Sequence, residues 1–147
     1  LTLLLLLSLS AHAAWTVGAD TGIDPKPISW WRDSWTARPV EVSRSNASST
    51  SVTLTFKVRT STDHAIGGVF AVYFPTSFTP PSGNSDNSQV VTLTAAVTAG
   101  TEYSLVIGSV TMPSTSGAYG PFRIITRPTA GGQIYDMNNS FASVYVT

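Results

Sequence analysis

The feature that most constrains this chain is the alternation between Ser51 and Arg59. In Ser-Val-Thr-Leu-Thr-Phe-Lys-Val-Arg, the apolar Val52, Leu54, Phe56 and Val58 alternate with Thr53, Thr55, Lys57 and Arg59. A period of two puts successive side chains on opposite faces of a β-strand, so one face is buried and the other wet. A polar gap from Ser61 to Gly68 follows, and Gly67-Gly68 hands over to Val69–Phe74, which is apolar throughout. An unbroken apolar run of this length suits a central strand whose outer face is covered as well, by the Trp-rich segment described below or by a neighbouring module. Pro75 ends that strand.

The same grammar runs to the C-terminus. Thr76–Ser88 is rich in Pro, Ser, Gly and Asn and is expected to be a long exposed loop. Gln89–Thr98 reads as a strand with Val91, Leu93 and Ala95 on one face. Ala99-Gly100 turns into Glu102–Val110, where Gly108 inside the strand suggests a bulge. Met112–Gly117 is a loop, Phe122–Thr126 a strand, Arg127–Gly132 a turn, and Phe141–Val146 the last strand. On the N-terminal side, Pro39 opens an edge strand over Val40–Val42. About seven strands with regularly spaced turns predict an all-β fold, an antiparallel immunoglobulin-like sandwich. A jelly roll or a closed eight-stranded barrel is the alternative. The predicted core is Val52, Leu54, Phe56, Val58, Val69, Phe70, Val72, Phe74, Leu93, Leu105, Ile107, Phe122, Ile124 and Val144.

Composition narrows the function classes. Charged residues make up 11% of the chain and the net charge is zero, against roughly 25% charged residues in an average soluble domain. Electrostatics therefore give no reason to propose nucleic acid or an anionic membrane as partner. The absence of cysteine excludes disulfides, thiolate metal sites and thiol catalysis.

The first residues, Leu-Thr-Leu-Leu-Leu-Leu-Leu-Ser-Leu-Ser followed by Ala11-His12-Ala13, have the apolar core and small-residue cleavage pattern of an export signal. The run is too short to span a bilayer, which needs about 20 apolar residues. The expected division is a signal peptide at 1–13, a Trp-rich N-terminal segment at 14–34 and the sandwich at 35–147. The mature chain would begin at Ala14, be secreted or held at the cell surface, and not insert in the membrane after cleavage. The missing Met and basic leader start, and the apolar strand at the other end, suggest a fragment of something longer.

Candidate chemistry is sparse. Asp20-Thr21-Gly22 matches the aspartic-protease triplet but lacks the apolar strand before it and a second copy. With His12 leaving in the leader, His64 would be the only histidine, expected on a solvated loop beside Asp63. Most carboxylates fall in turns, where Asp serves the backbone; a glycosidase needs two on a rigid cleft. Asp136, with Asn138 and Asn139, offers a thin oxygen set for calcium. The reading is therefore of no catalytic residues, no metal and no cofactor. Trp30, Trp31 and Trp35, with Tyr103 and Tyr135 as possible partners, suggest a second class of function: aromatic rings that stack on sugars. Packing against the sandwich is the plainer alternative. Asn46-Ala47-Ser48 and Asn138-Asn139-Ser140 are N-glycosylation sequons, with Asn46 and Asn138 as acceptors.

One resemblance follows from these motifs. Ser-Val-Thr-Leu-Thr-Phe, Gly-Gly-Val-Phe-Ala-Val-Tyr-Phe-Pro-x-x-Phe, Gly-Thr-x-Tyr-x-Leu-x-Ile-Gly, Met-Pro-Ser-Thr-x-Gly, Gly-Pro-Phe-x-Ile-x-Thr and the Ile134–Phe141 pattern cover the last two thirds of the chain. Together they resemble tandem immunoglobulin-like β-sandwich modules of large secreted and cell-surface proteins of microbial eukaryotes. The resemblance implies adhesive, matrix or surface-coat roles, with neighbouring modules or extracellular proteins and glycans as partners and no catalytic residues. The Trp cluster lies outside it.

Overall fold

The structure is a computed structural model that describes Lys26–Pro27 and residues 39–147. The leader, Asp20 and the Trp cluster lie outside the described residues. Within them the chain is all-β, with strands β1 (Lys26–Pro27), β2 (Val40–Val42), β3 (Val52–Arg59), β4 (Val69–Tyr73), β5 (Ser88–Thr92), β6 (Glu102–Val110), β7 (Gly117–Tyr119), β8 (Arg123–Arg127), β9 (Asp136–Asn138) and β10 (Val144–Val146). One sheet has the order β2-β3-β6, a second β1-β9-β8-β4-β5, and β10 pairs with β7. All pairs are antiparallel except the two-residue β1–β9 contact. Among the described residues the strands form open sheets rather than the closed barrel considered above.

The strand pairs β7–β10 and β8–β9 are two halves of one long hairpin. Backbone bonds from Phe122 N–H to Ala142 O and from Phe141 N–H to Phe122 O bridge the interruption between them. At the kink, Gly120 lies so close to Ser143 that an added Cβ would stand 2.8 Å from the Ser143 Cα. No side chain fits there without moving backbone.

Burial follows the alternation. Val52, Leu54, Phe56 and Val58 are each fully buried, whereas their polar neighbours along β3 are half exposed. Their faces meet Phe70, Val72 and Ile124 of the other sheet in one continuous core. All six phenylalanines of the chain are buried, Phe78 and Phe141 among them. Phe122 is the hub: its ring lies 5.3 Å from that of Phe56, 5.4 Å from Phe74 and 5.2 Å from Phe78, all edge to face. Such pairs add roughly 0.5–1.5 kcal/mol beyond area burial.

Three expectations need correction. The loop Thr76–Ser88 is exposed at Thr76, Ser77, Thr79 and Pro81–Asp86 but not throughout: Phe78 turns inward onto the aromatic cluster, Pro80 and Ser88 are buried, and Thr79 forms a bridge with Thr111. The strand expected over Gln89–Thr98 stops at Thr92, leaving Leu93 half-buried and Ala95 exposed. Residues 136–138, for which the sequence predicts no strand, form β9. The bulge expected at Gly108 is present: Val52 pairs with Val110 but Leu54 with Ile107, so β6 carries one residue more over that interval. The positive φ falls on Ser109 at 56°, beside the glycine.

Phe56→Ala should lower stability by about 3–5 kcal/mol, read as a drop in the urea midpoint; an unchanged midpoint would show that Phe56 does not sit in the core. Gly120→Ala should destabilise by about 1–3 kcal/mol through overpacking, whereas the same change at the open turn residue Gly83 should cost less, by the same measurement.

Candidate functional site

Among the described residues the one concentrated set of polar chemistry is buried where three segments meet. His64 lies in the β3–β4 connection. Its backbone N–H bonds Val97 O at 2.8 Å and its carbonyl accepts from Val97 N–H at 2.8 Å. That antiparallel bridge pulls the loop against the β5–β6 connection and turns the imidazole inward. Asp136 opens β9 opposite Thr126 of β8. Phe70, Thr126 and Asp136 share the inner face of their sheet, because they pair across in register.

Here the sequence reading is overturned. His64 is 3% exposed rather than solvated. Its Nε2 lies 2.7 Å from Asp136 Oδ2. The same oxygen accepts the Thr126 hydroxyl at 2.9 Å, and Thr126 Oγ1 in turn accepts Asp136 N–H at 2.9 Å. The other carboxylate oxygen, Oδ1, accepts Ser61 N–H at 3.3 Å. The imidazole edge packs against Phe70, ring centroids 5.7 Å apart, and beside Tyr135 at 6.0 Å. The exposed neighbour is Asp63, whose Oδ1 accepts Ala99 N–H at 2.7 Å.

A His, an Asp and a hydroxyl together invite a catalytic reading, but their arrangement does something else. A nucleophilic triad needs the hydroxyl on the imidazole and the nucleophile within reach of substrate. Here Thr126 donates to the carboxylate, both side chains of the His64–Asp136 pair are fully enclosed, and His64 Nδ1 is buried without a hydrogen-bond partner. The cluster ties the β3–β4 loop to β8 and β9.

This also redirects the oxygen set considered for calcium. Both Asp136 oxygens accept protein donors, and Asn138 Oδ1 accepts Ser140 N–H at 2.9 Å. Among the described residues no group of three His, Cys, Asp or Glu side chains is placed to hold a metal ion. Of the two sequons, Asn46 is exposed at the tip of a turn, whereas Asn138 is half-buried in β9. Tyr103 is half-buried and its hydroxyl accepts Thr98 N–H at 2.9 Å. Tyr135 is 36% exposed. Trp30, Trp31 and Trp35 fall outside the described residues, so the sugar-stacking set is not assembled here.

The remaining surface features are grooves and edges. Between β5 and β6 a groove is lined by Val58, Phe70, Leu93, Val97, Leu105 and Val106, with no charged side chain. Both flanking strands end their sheets, and each exposes a valine, Val90 at 46% and Val106 at 56%. Comparison with protein-family models, curated proteins and solved structures returned no match.

Thr126→Val should cost about 1–3 kcal/mol, because Asp136 then keeps a buried acceptor site and a buried N–H unsatisfied. Asp136→Ala should cost about 3–5 kcal/mol by leaving His64 enclosed with neither nitrogen bonded. Denaturation midpoints of the two variants check the order; equal midpoints for wild type and Asp136→Ala would remove the cluster's structural role.

Proposed function

We propose that this chain is a non-catalytic, immunoglobulin-like β-sandwich module of a secreted or cell-surface protein, with an adhesive or structural role. The observation that carries the reading is where the polar chemistry sits. The His–Asp–Thr cluster is enclosed and spent on holding a loop to a sheet, so the described surface offers contact area rather than a reactive centre. The strand order supports the architecture: β2-β3-β6 on one side and β9-β8-β4-β5 on the other, packed over one core, is the arrangement of small extracellular sandwiches. The export-type leader, the low charge and the exposed Asn46 support the location.

Contact then falls to loop tips and strand edges. An open edge offers unpaired N–H and C=O groups to an incoming strand, and side-chain pockets beside it add selectivity. The β6 edge with its uncharged groove has both properties. Neighbouring modules of the same kind, or extracellular proteins and glycans, are the partners this surface suits.

The reading is tested by expressing the chain with its own leader in eukaryotic cells. The expected result is protein in the medium that starts at Ala14 and loses mass on endoglycosidase treatment, with that loss abolished by Asn46→Gln. Cytosolic protein with an intact leader would overturn the location. Binding to a glycan array that depends on Trp30, Trp31 and Trp35 would replace the adhesive role with carbohydrate recognition.

A further inference from the structure

We propose that the β6 edge pairs with the same edge of a second copy of this chain, antiparallel, with the two-fold axis at Ser104. Such pairing rests on the reading of β6 as a contact edge and gives that edge one partner and one register.

Hydrogen-bond direction shows which groups the edge offers. Lys57 N–H donates to Pro39 O at 2.8 Å, and Ser43 N–H donates to Thr53 O at 3.0 Å. Backbone groups of successive strand residues point to opposite sides, so Thr53, Thr55 and Lys57 aim theirs at β2. Leu54, Phe56 and Val58 aim theirs at their β6 partners Ile107, Leu105 and Tyr103. The alternate residues Glu102, Ser104 and Val106 then point N–H and C=O away from β3. Among the described residues none of these groups has a backbone partner. All three residues are exposed, Val106 at 56%. The stretch holds neither the Pro nor the Lys that commonly blocks an incoming strand.

The charges suit a copy of the same edge. Pairing about Ser104 sets Glu102 opposite Val106 of the second copy and Ser104 opposite its own counterpart, and the outward groups of all three residues exchange bonds. Glu102, the one charged residue of β6, therefore never meets itself. Its diagonal neighbour is Ser104 of the second copy, about 7–8 Å away and within reach of a long side chain. Lys57 pairs with Ser104 across β3 and β6, and its ammonium stands 3.2 Å from the Ser104 Oγ. Each Glu102 carboxylate thus reaches the Lys57 ammonium of the other copy, and symmetry makes this ion pair twice. A second copy supplies both halves of the match. The register shift near Gly108 and Ser109 ends the regular ladder, and a two-fold contact uses the edge of both copies, so association stops at a dimer.

Sedimentation of the full chain should show a monomer–dimer equilibrium between about 10 μM and about 1 mM, weakened by salt. Glu102→Lys should weaken it about tenfold, and adding Lys57→Glu to that variant should restore it. Because the chain has no cysteine, Ser104→Cys introduces its sole thiol at the axis. The two Cα atoms there would stand about 5.5 Å apart, within disulfide range. Val106→Cys would hold its two thiols about 14 Å apart along the strands. In protein whose far-UV circular dichroism is unchanged, Ser104→Cys should oxidise to a covalent dimer about tenfold faster than Val106→Cys. A monomer throughout the concentration range overturns the pairing, and so does cross-linking that is as fast at Val106→Cys. Neither measurement depends on export: an exported monomer overturns the pairing alone, and a cytosolic dimer overturns the proposed location alone.

Discussion

Everything in this sandwich depends on the ring contacts around Phe122. Phe122 precedes β8, Phe56 sits within β3, Phe74 follows β4, and Phe78 belongs to the loop beyond. Their edge-to-face contacts therefore join both sheets and a connection at one point. The chain has no cysteine, so no disulfide can share that task. Chain entropy opposes folding by about 1–2 kcal/mol per residue, and a core of this kind is the main term against it. That places the glycine at position 120 in context. The kink that brings Phe122 and Phe141 together needs backbone contact between Gly120 and Ser143, which only a residue without a Cβ allows.

The polar cluster stands at the other end of the same inner face. Phe70 links the two regions, since it belongs to the aromatic core and also packs on the His64 ring. A buried carboxylate without partners would be costly. Asp136 avoids that by accepting bonds from an imidazole, a hydroxyl and a backbone amide. The apolar core supplies stability without direction, whereas these bonds fix which loop lies against which strands.

The legible parts of this chain were those in which local pattern and final environment agree. β3 was readable because every second residue is apolar and every second position is buried, and β6 was found with both ends at Glu102 and Val110. Pro, Ser and Gly around Phe78 give the local pattern of an exposed loop; its burial comes from a contact with Phe122, far along the chain. His64 and Asp136 are separated by 72 residues, and each alone reads as a turn residue. The bridge between His64 and Val97 that turns the imidazole inward leaves no local signal. β9 is three residues long and includes a buried Asp, so neither length nor periodicity marked it. The apolar stretch Val69–Phe74 did indicate a strand covered on both faces, and Ala71 on its outer side is buried.

The edges differ in how readily they would accept another strand. β2 has three residues and begins beside Pro39, and β5 has five; short edge strands and proline discourage unwanted pairing. The two residues of β1 cover part of β9. β6 is different, with nine residues and, among the described residues, no strand on its outer edge. The bulge at Gly108-Ser109 distorts its C-terminal half, and bulges twist an edge away from flat pairing. The half from Glu102 to Ile107 stays regular, carries the exposed Val106 and borders the uncharged groove. Pairing along that half would be short, would satisfy backbone groups that otherwise face water, and would place alternate side chains of the incoming strand over Leu93 and Val97.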